Sequence, residues 1–363
     1  MQSRIQRLYR YMEEQALDAL FVTLPANIYY LTGFRSNPHE RFLGLILVKG
    51  HEPFLLVPAL DKEAAGTAAK GISRIYTHTD TDNPYEVLQK LLSAAVRRVG
   101  LEKTHLTVSR FEALAAAIGA DAYFDLAAEL QSMRMIKSAE EIAMMRKAVQ
   151  VIEDVLHAGV AQVKPGVTEL DLVAELEYRM KKLGADGPSF DTIVLAGEKS
   201  ALPHGVPGNR SVREGELLLF DIGVYVDGYA SDITRTFAVG DIAPKLQDIY
   251  ETVLAANMRA IEAVAPGATF GSLDRTARAV IAGKGYGDYF MHRLGHGLGL
   301  DVHEYPSVHG DNEQQLAAGM AFTIEPGIYV PGLGGVRIED DVVVTAHGVD
   351  VLTTFPKELT VIG

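Results

Sequence analysis

Five residues in the carboxyl-terminal part of the sequence, Asp221, Asp232, His296, Glu325 and Glu339, supply four carboxylates and one imidazole. Hard divalent cations take oxygen ligands, and paired metals can stabilise both the attacking and the leaving oxygen of a displacement. The set therefore suits two metal ions sharing a water and points to a metallohydrolase. Each member lies in a short run that reads as strand or turn: Phe220-Asp221-Ile222-Gly223, Ser231-Asp232-Ile233, Gly295-His296-Gly297, Thr323-Ile324-Glu325-Pro326-Gly327 and Arg337-Ile338-Glu339-Asp340. Strands can hold ligands from distant parts of a chain at one rigid point. An isolated acid is ordinarily solvated, but an acid that follows an apolar run such as Leu217-Leu218-Leu219-Phe220 is read as buried. A buried carboxylate needs a partner or a metal. The sequence has no cysteine, so any metal must be held by oxygen and imidazole, which favours manganese or cobalt over structural zinc.

The elements that must position these residues fall into two parts. At 363 residues the chain exceeds the usual single-domain size. Its first part alternates helix and strand signals, as an α/β layer domain does. An amphipathic helix is expected over Ile5 to Gln15 and strands over Ala19 to Thr23, Leu43 to Val48 and Pro53 to Val57. A helix over Pro84 to Val99, a strand over Leu106 to Ser109 and an alanine-rich helix over Phe111 to Ile118 follow. This domain is assigned to residues 1–125, with a linker over 126–137. Ser138 with Glu141 three positions later fits a capping box that opens a long helix toward Val160 and starts a second domain, 138–363.

That second domain repeats itself. Pro165-Gly166-Val167-Thr168 and Pro266-Gly267-Ala268-Thr269 stand 101 residues apart, each after a helical stretch and before another. In both copies Pro-Gly closes one helix and Thr is placed to cap the next. Such four-residue turns are common, and it is the matching context that indicates two related αα-ββ halves. They are expected to form one antiparallel sheet with helices on one side and the four acids and the imidazole on its other, concave face.

Charge and hydropathy exclude other classes. With 47 acidic and 34 basic residues the formal net charge is −13 and no basic block interrupts it, which disfavours a grip on nucleic acid phosphates. The longest apolar runs, near Phe42 to Val48 and Leu217 to Phe220, fall far short of the roughly 20 residues a spanning helix needs. The amino end lacks a secretory pattern. A cytoplasmic protein without membrane or nucleic-acid partner is the expectation.

The segments Ser200 to Gly205, Asp221 to Phe237, His292 to Glu304, Thr323 to Tyr329 and Val336 to Asp341 resemble, in order, the signatures of the pita-bread metallopeptidases. That family holds prolidase, aminopeptidase P, methionine aminopeptidase and creatinase. The resemblance covers roughly Ser138 to Val361, and the preceding α/β domain is similar to the amino-terminal domain of the prolidase, aminopeptidase P and creatinase branch. The loop Ser36-Asn37-Pro38-His39-Glu40-Arg41 looks like one found in bacterial prolidases. The implied fold class is α+β: a pita-bread catalytic domain with pseudo-two-fold halves behind a smaller creatinase-like α/β domain.

By this resemblance Asp221 holds one metal, His296 and Glu325 the other, and Asp232 and Glu339 bridge them. The implied cofactors are two divalent ions per subunit, Mn2+ first and Co2+ or Zn2+ also acceptable. A water shared by the metals is the implied nucleophile and Glu325 the general base. Around the ligand imidazole cluster His292, His303 and, from an earlier loop, His204. Gly295, Gly297 and Gly299 withhold side-chain bulk there, so backbone can approach a substrate. His204 and His303 are assigned to substrate contacts and transition-state stabilisation, and His292 to the substrate carboxylate. Arg337, two residues before Glu339 on one strand face, should point into the site, either toward substrate or as an ion pair orienting Asp232 or Glu339.

The implied reaction is hydrolysis of the bond between an amino-terminal residue and proline, in dipeptides by a prolidase. A dipeptide's free carboxylate calls for a nearby cation, with Arg337, Arg293 and Arg41 as candidates. The loop carrying His39 and Arg41 is expected to close the pocket, across a homodimer. An aminopeptidase P acting on longer peptides would share every metal ligand. A non-catalytic binding protein of the same fold is the alternative from another class, and the complete ligand set argues against it.

Overall fold

The computed structural model describes residues 2–92 and 96–363. Contacts divide the chain into two compact units, Met1–Met133 and Arg134–Gly363.

The first unit is built on a six-stranded sheet whose strands, from one edge to the other, are Arg74–His78, Phe54–Pro58, Gly44–Val48, Ala19–Val22, Arg98–Leu101 and Ala122–Asp125. Gly44–Val48 runs antiparallel to both neighbours and the other pairs are parallel. The mixed sheet needs a strand where the sequence suggested the tail of a helix. The helix expected over Pro84 to Val99 ends at Leu91, residues 93–95 lie outside the described residues, and Arg98–Leu101 is a strand. Its Gly100 sits so close to Leu20 that a Cβ would lie 2.5 Å from the leucine. The strand expected over Leu106 to Ser109 is instead a helix start. Thr107 caps Val108–Ile118 by accepting from the Arg110 N–H, which is what a threonine in extended conformation ahead of a helical run does.

Glu102 follows the Arg98–Leu101 strand and is buried. It accepts hydrogen bonds from the Thr23 N–H at 2.5 Å, the Leu24 N–H at 2.8 Å and Asn27 Nδ2 at 2.5 Å. The helix Pro25–Thr32 has no capping side chain, and Glu102 instead holds the two amides that lead into it and the Asn27 side chain in its first turn.

In the second unit Ser138 forms the expected capping box with Glu141 and opens the helix Ala139–Val160. The stretch read as a linker is not extended: it contains the helix Ala127–Met135, and Arg134 and Lys137 already belong to the second unit. There they bind Asp301 and Glu304, Arg134 Nη2 to Asp301 at 2.7 Å and Lys137 Nζ to Glu304 at 2.7 Å.

The repeat is visible in backbone detail. Thr168 caps Glu169–Lys182 in a box with Asp171, and Thr269 caps Phe270–Gly283 in a box with Ser272. Gly166 and Gly267 both take positive φ, 94° and 86°, conformations that cost glycine little. Each donates its N–H to a matching residue just after an isolated β-bridge, Gly166 to Val212 O at 2.9 Å and Gly267 to Leu316 O at 3.0 Å. The helix pairs, Ala139–Val160 with Glu169–Lys182 and Pro244–Glu262 with Phe270–Gly283, bury their apolar faces in two clusters. One holds Ile152, Leu172 and Phe220, and the other Ile249, Leu273 and Phe322.

The strands do not form the single antiparallel sheet expected. The first half orders Val361–Ile362, Ile233–Val239, Glu216–Ile222 and Ile193–Ala196, with a parallel pair at its edge. The second half orders Glu304–Val308, Gly295–Gly297, Ala321–Ile324, Asp340–Val344 and Val349–Val351, and Gly327–Val330 and Gly334–Arg337 form a separate hairpin. Pro326, which has no N–H, and the bend at Ile338-Glu339 interrupt the ladder. The seam is closed locally, by the Glu339 N–H on Thr234 O at 3.1 Å and Thr236 Oγ1 on Arg337 O at 3.0 Å.

Candidate metal centre

Every member of the acid and imidazole set sits on a strand or at a strand end. Asp221 is in Glu216–Ile222, and Asp232 directly precedes Ile233–Val239, its antiparallel neighbour. His296 is the middle residue of Gly295–Gly297, Glu325 follows Ala321–Ile324, and Glu339 separates Gly334–Arg337 from Asp340–Val344. Single donor atoms of Asp232, His296 and Glu339 lie within 4.8 Å of one another. His296 Nε2 stands 3.7 Å from Asp232 Oδ2 and 3.4 Å from Glu325 Oε1.

The glycines beside His296 have a different purpose from the one expected. A Cβ on Gly295 would lie 2.0 Å from Thr323 O, and one on Gly297 would lie 2.5 Å from Tyr305 O. They admit the neighbouring strands, not a substrate.

Electrostatics test whether a divalent ion fits. Burial, reinforced by Glu339 and Asp221, holds the Asp232 carboxyl well above its ordinary range. Burial followed by Glu325 and Asp221 does the same to Glu339, and burial pushes Glu325 up to about 7. His296 is pushed down to about 3 by burial and then by His303, so its ring is neutral and free to offer a lone pair. Like charges this close cannot all ionise without a compensating cation. Asp232 Oδ1 is buried with no hydrogen-bond partner among the described residues, an orphaned acceptor of the kind a metal satisfies. The donor set is oxygen and imidazole throughout. The residues present fit divalent metal ions.

The surrounding groups form a wired shell. Arg337 is buried; its Nη2 pairs with Asp221, Nε donates to Thr234 Oγ1 at 3.1 Å and Nη1 to the Tyr329 hydroxyl at 2.8 Å. Thr234 Oγ1 in turn donates to Glu339 Oε2 at 2.6 Å. Arg337 thus points into the site as expected, but its carboxylate partner is Asp221 and it reaches Glu339 only through a hydroxyl. Tyr329, a site residue that sequence reasoning missed, joins this arginine to His292 at 2.9 Å. It closes the Thr323–Tyr329 segment, two residues after Gly327, and its hydroxyl lies where a Cβ on that glycine would be only 2.4 Å away. Burial pushes His292 down to about 4, so its neutral ring donates from Nδ1 to Arg293 O at 2.8 Å and accepts from Tyr329. A neutral imidazole with both nitrogens engaged is a poor anchor for a carboxylate, contrary to the role expected for His292.

The set lines a cavity of about 960 Å³ with His204, His292, Arg293, His303 and Tyr329, and its apolar lining includes Phe190, Ile193 and Met291. His303 packs on His296 with ring centroids 3.7 Å apart. His204 is exposed. All the lining residues belong to the second unit. His39 and Arg41 belong to the first: His39 has φ 53°, and Arg41 forks onto Asp80 at 2.7 and 3.1 Å and pairs with Glu40 at 3.2 Å.

A helix-backed pair of sheet halves with buried carboxylates and one imidazole at their seam defines a metal-dependent hydrolase, and residues 143–346 match metallopeptidase family M24. The chain belongs to that family, and residues 4–136 match the creatinase/prolidase N-terminal domain. The Bacillus subtilis protein YkvY, which carries a provisional dipeptidase name, is 45% identical over 363 residues, covering 99% of this chain and all of that one. An Xaa-Pro dipeptidase from Bacillus anthracis superposes with a TM-score of 0.94 at 35% identity over 99% of each chain. An X-Pro aminopeptidase from Thermotoga maritima gives 0.87 at 32% identity, over 96% of this chain and 98% of that one. The chain is a metallopeptidase that uses divalent metal ions. No described helix is long and apolar enough to cross a membrane.

Proposed function

We propose that this metallopeptidase hydrolyses the Xaa-Pro bond of dipeptides, with two divalent ions, Mn2+ first, held by Asp221, Asp232, His296, Glu325 and Glu339. The bound ions would lower the pKa of a water toward neutrality and polarise the scissile carbonyl. This chain's own residues supply the rest. Glu325 lines the cavity and would take a proton from the attacking water. His303 and His204 face the reacting peptide, and Arg337 fixes Asp221.

The observation that carries the dipeptide reading is Arg293. Two arginines line the cavity, and Arg337 is already paired with Asp221. Arg293 spends Nη1 on Ser307 Oγ at 3.0 Å and forms no ion pair among the described residues. It can therefore receive a free carboxylate beside the metal ligands. Its homodimeric assembly, the closing loop at His39 and Arg41, and a cytoplasmic setting belong to the same proposal. The dipeptidase names of its relatives support the dipeptide reading.

The test compares Ala-Pro, Ala-Pro-amide and Ala-Pro-Ala on Mn2+-loaded protein. Ala-Pro should be preferred, and Arg293→Ala should cost it about 10- to 100-fold in kcat/KM, the loss of a charged hydrogen bond, while leaving the amide unchanged. A strong preference for the tripeptide would make the enzyme an aminopeptidase and overturn the choice.

A further inference from the structure

Each half of the second unit carries one buried carboxylate near the start of its second helix that takes no part in the metal set. Glu169 is the first residue of Glu169–Lys182 and is fully buried. It accepts from the Ala196 N–H at 2.9 Å, from the Gly208 N–H at 2.8 Å and from the Lys199 ammonium. Lys199 Nζ then donates to Val206 O at 3.0 Å. Both ends of the segment 196–208 are thereby tied to one carboxylate, and residues 202–206 inside it, His204 among them, line the cavity.

The second half repeats the device with different residues. Asp274, buried in Phe270–Gly283, accepts from the Leu294 N–H at 3.1 Å and takes a two-pronged ion pair from Arg278, Nε and Nη2 each at 2.9 Å. Arg278 donates onward to Phe290 O at 2.9 Å and His292 O at 3.0 Å. Residues 291–293 inside this second bracket line the same cavity.

In each pair the carboxylate is buried and the cation is partly exposed, and a pair with an exposed partner adds little to stability. Both pairs spend their remaining hydrogen bonds on the backbone of a cavity loop. We propose that Glu169, with Lys199, and Asp274, with Arg278, are positioning residues that hold the two loops forming the substrate cavity. This rests on the reading of that cavity as the substrate site.

The test uses the full-length, metal-loaded protein with Glu169→Gln, Asp274→Asn and the milder Lys199→Met and Arg278→Met, in case the buried acids cannot be replaced without unfolding. Amide exchange should accelerate at 196–208 only for the first pair of residues and at 290–294 only for the second, with metal content unchanged. Hydrolysis should fall about 10- to 100-fold, as loss of groups that orient a site does. On a His204→Ala background, Glu169→Gln should cost less than about threefold more, since coupled residues are non-additive. Uniform exchange changes, or an equal loss on both backgrounds, would make these acids merely structural and overturn the proposal. Should the enzyme prefer Ala-Pro-Ala, the dipeptide reading fails, while local exchange and non-additivity on that substrate still decide the positioning role.

Discussion

Thr234 shows how much of the centre depends on a residue with no charge. Its hydroxyl accepts from Arg337 Nε and donates to Glu339, so it joins the cation that fixes Asp221 to a second carboxylate. Thr234→Val keeps the shape, strands a buried N–H and frees Glu339. The Mn2+ concentration for half-maximal activity should rise about 10- to 100-fold, read by metal titration of the apoprotein; an unchanged requirement would show that the hydroxyl is idle. The charged members of the site were legible because an acid inside an apolar run must be matched by a partner or a metal. Thr234 and Tyr329 were not, since a hydroxyl in a strand can serve packing, backbone bonding or solvent equally well. The glycines were legible as close approaches but misread as to what approaches, because a sequence does not show that Thr323 and Tyr305 lie against them.

At the level of elements, Glu304 ties the strand Glu304–Val308 to the start of the second unit. Burial alone would raise its carboxyl, but Lys137 and Arg134 outweigh burial and hold it below its ordinary value. A depressed folded-state pKa means that this stability is present above the ordinary glutamate range and is lost as pH falls through the lower folded value. Denaturant unfolding of the metal-free protein should therefore weaken in acid partly through this group. Glu304→Gln should cost about 3–5 kcal/mol at neutral pH, the usual cost of breaking a buried pair, and flatten the acid limb; an acid limb equally steep in the variant would assign the loss to other carboxylates. The capping box at Ser138, the threonine caps and the duplicated Pro-Gly turns were readable because their chemistry is local. The strand Arg98–Leu101 was not. Its identity comes from parallel partners at Ala19–Val22 and Ala122–Asp125, and Arg97 and Arg98 at its start extend a helical pattern just as well.

For the whole molecule, the proposed donor atoms come from both halves of the second unit: Asp221 and Asp232 from one, His296, Glu325 and Glu339 from the other. Chelation should abolish hydrolysis reversibly and lower the thermal midpoint. A ligand at 100 times its dissociation constant stabilises by about 2.7 kcal/mol, and here its removal also leaves the carboxylates facing one another. A metal-free protein that melts at the same temperature would contradict this. The two-fold repeat was visible in sequence, whereas the division into separate sheets was not, because it depends on where Pro326 and the Ile338-Glu339 bend break the ladder. Because neither half owns a complete set of the proposed ligands, a bound ion would act as a crosslink between two duplicated modules. Cooperativity then becomes a property of metal supply: the loaded protein should lose both modules in one calorimetric transition, and the stripped protein should shed them in sequence.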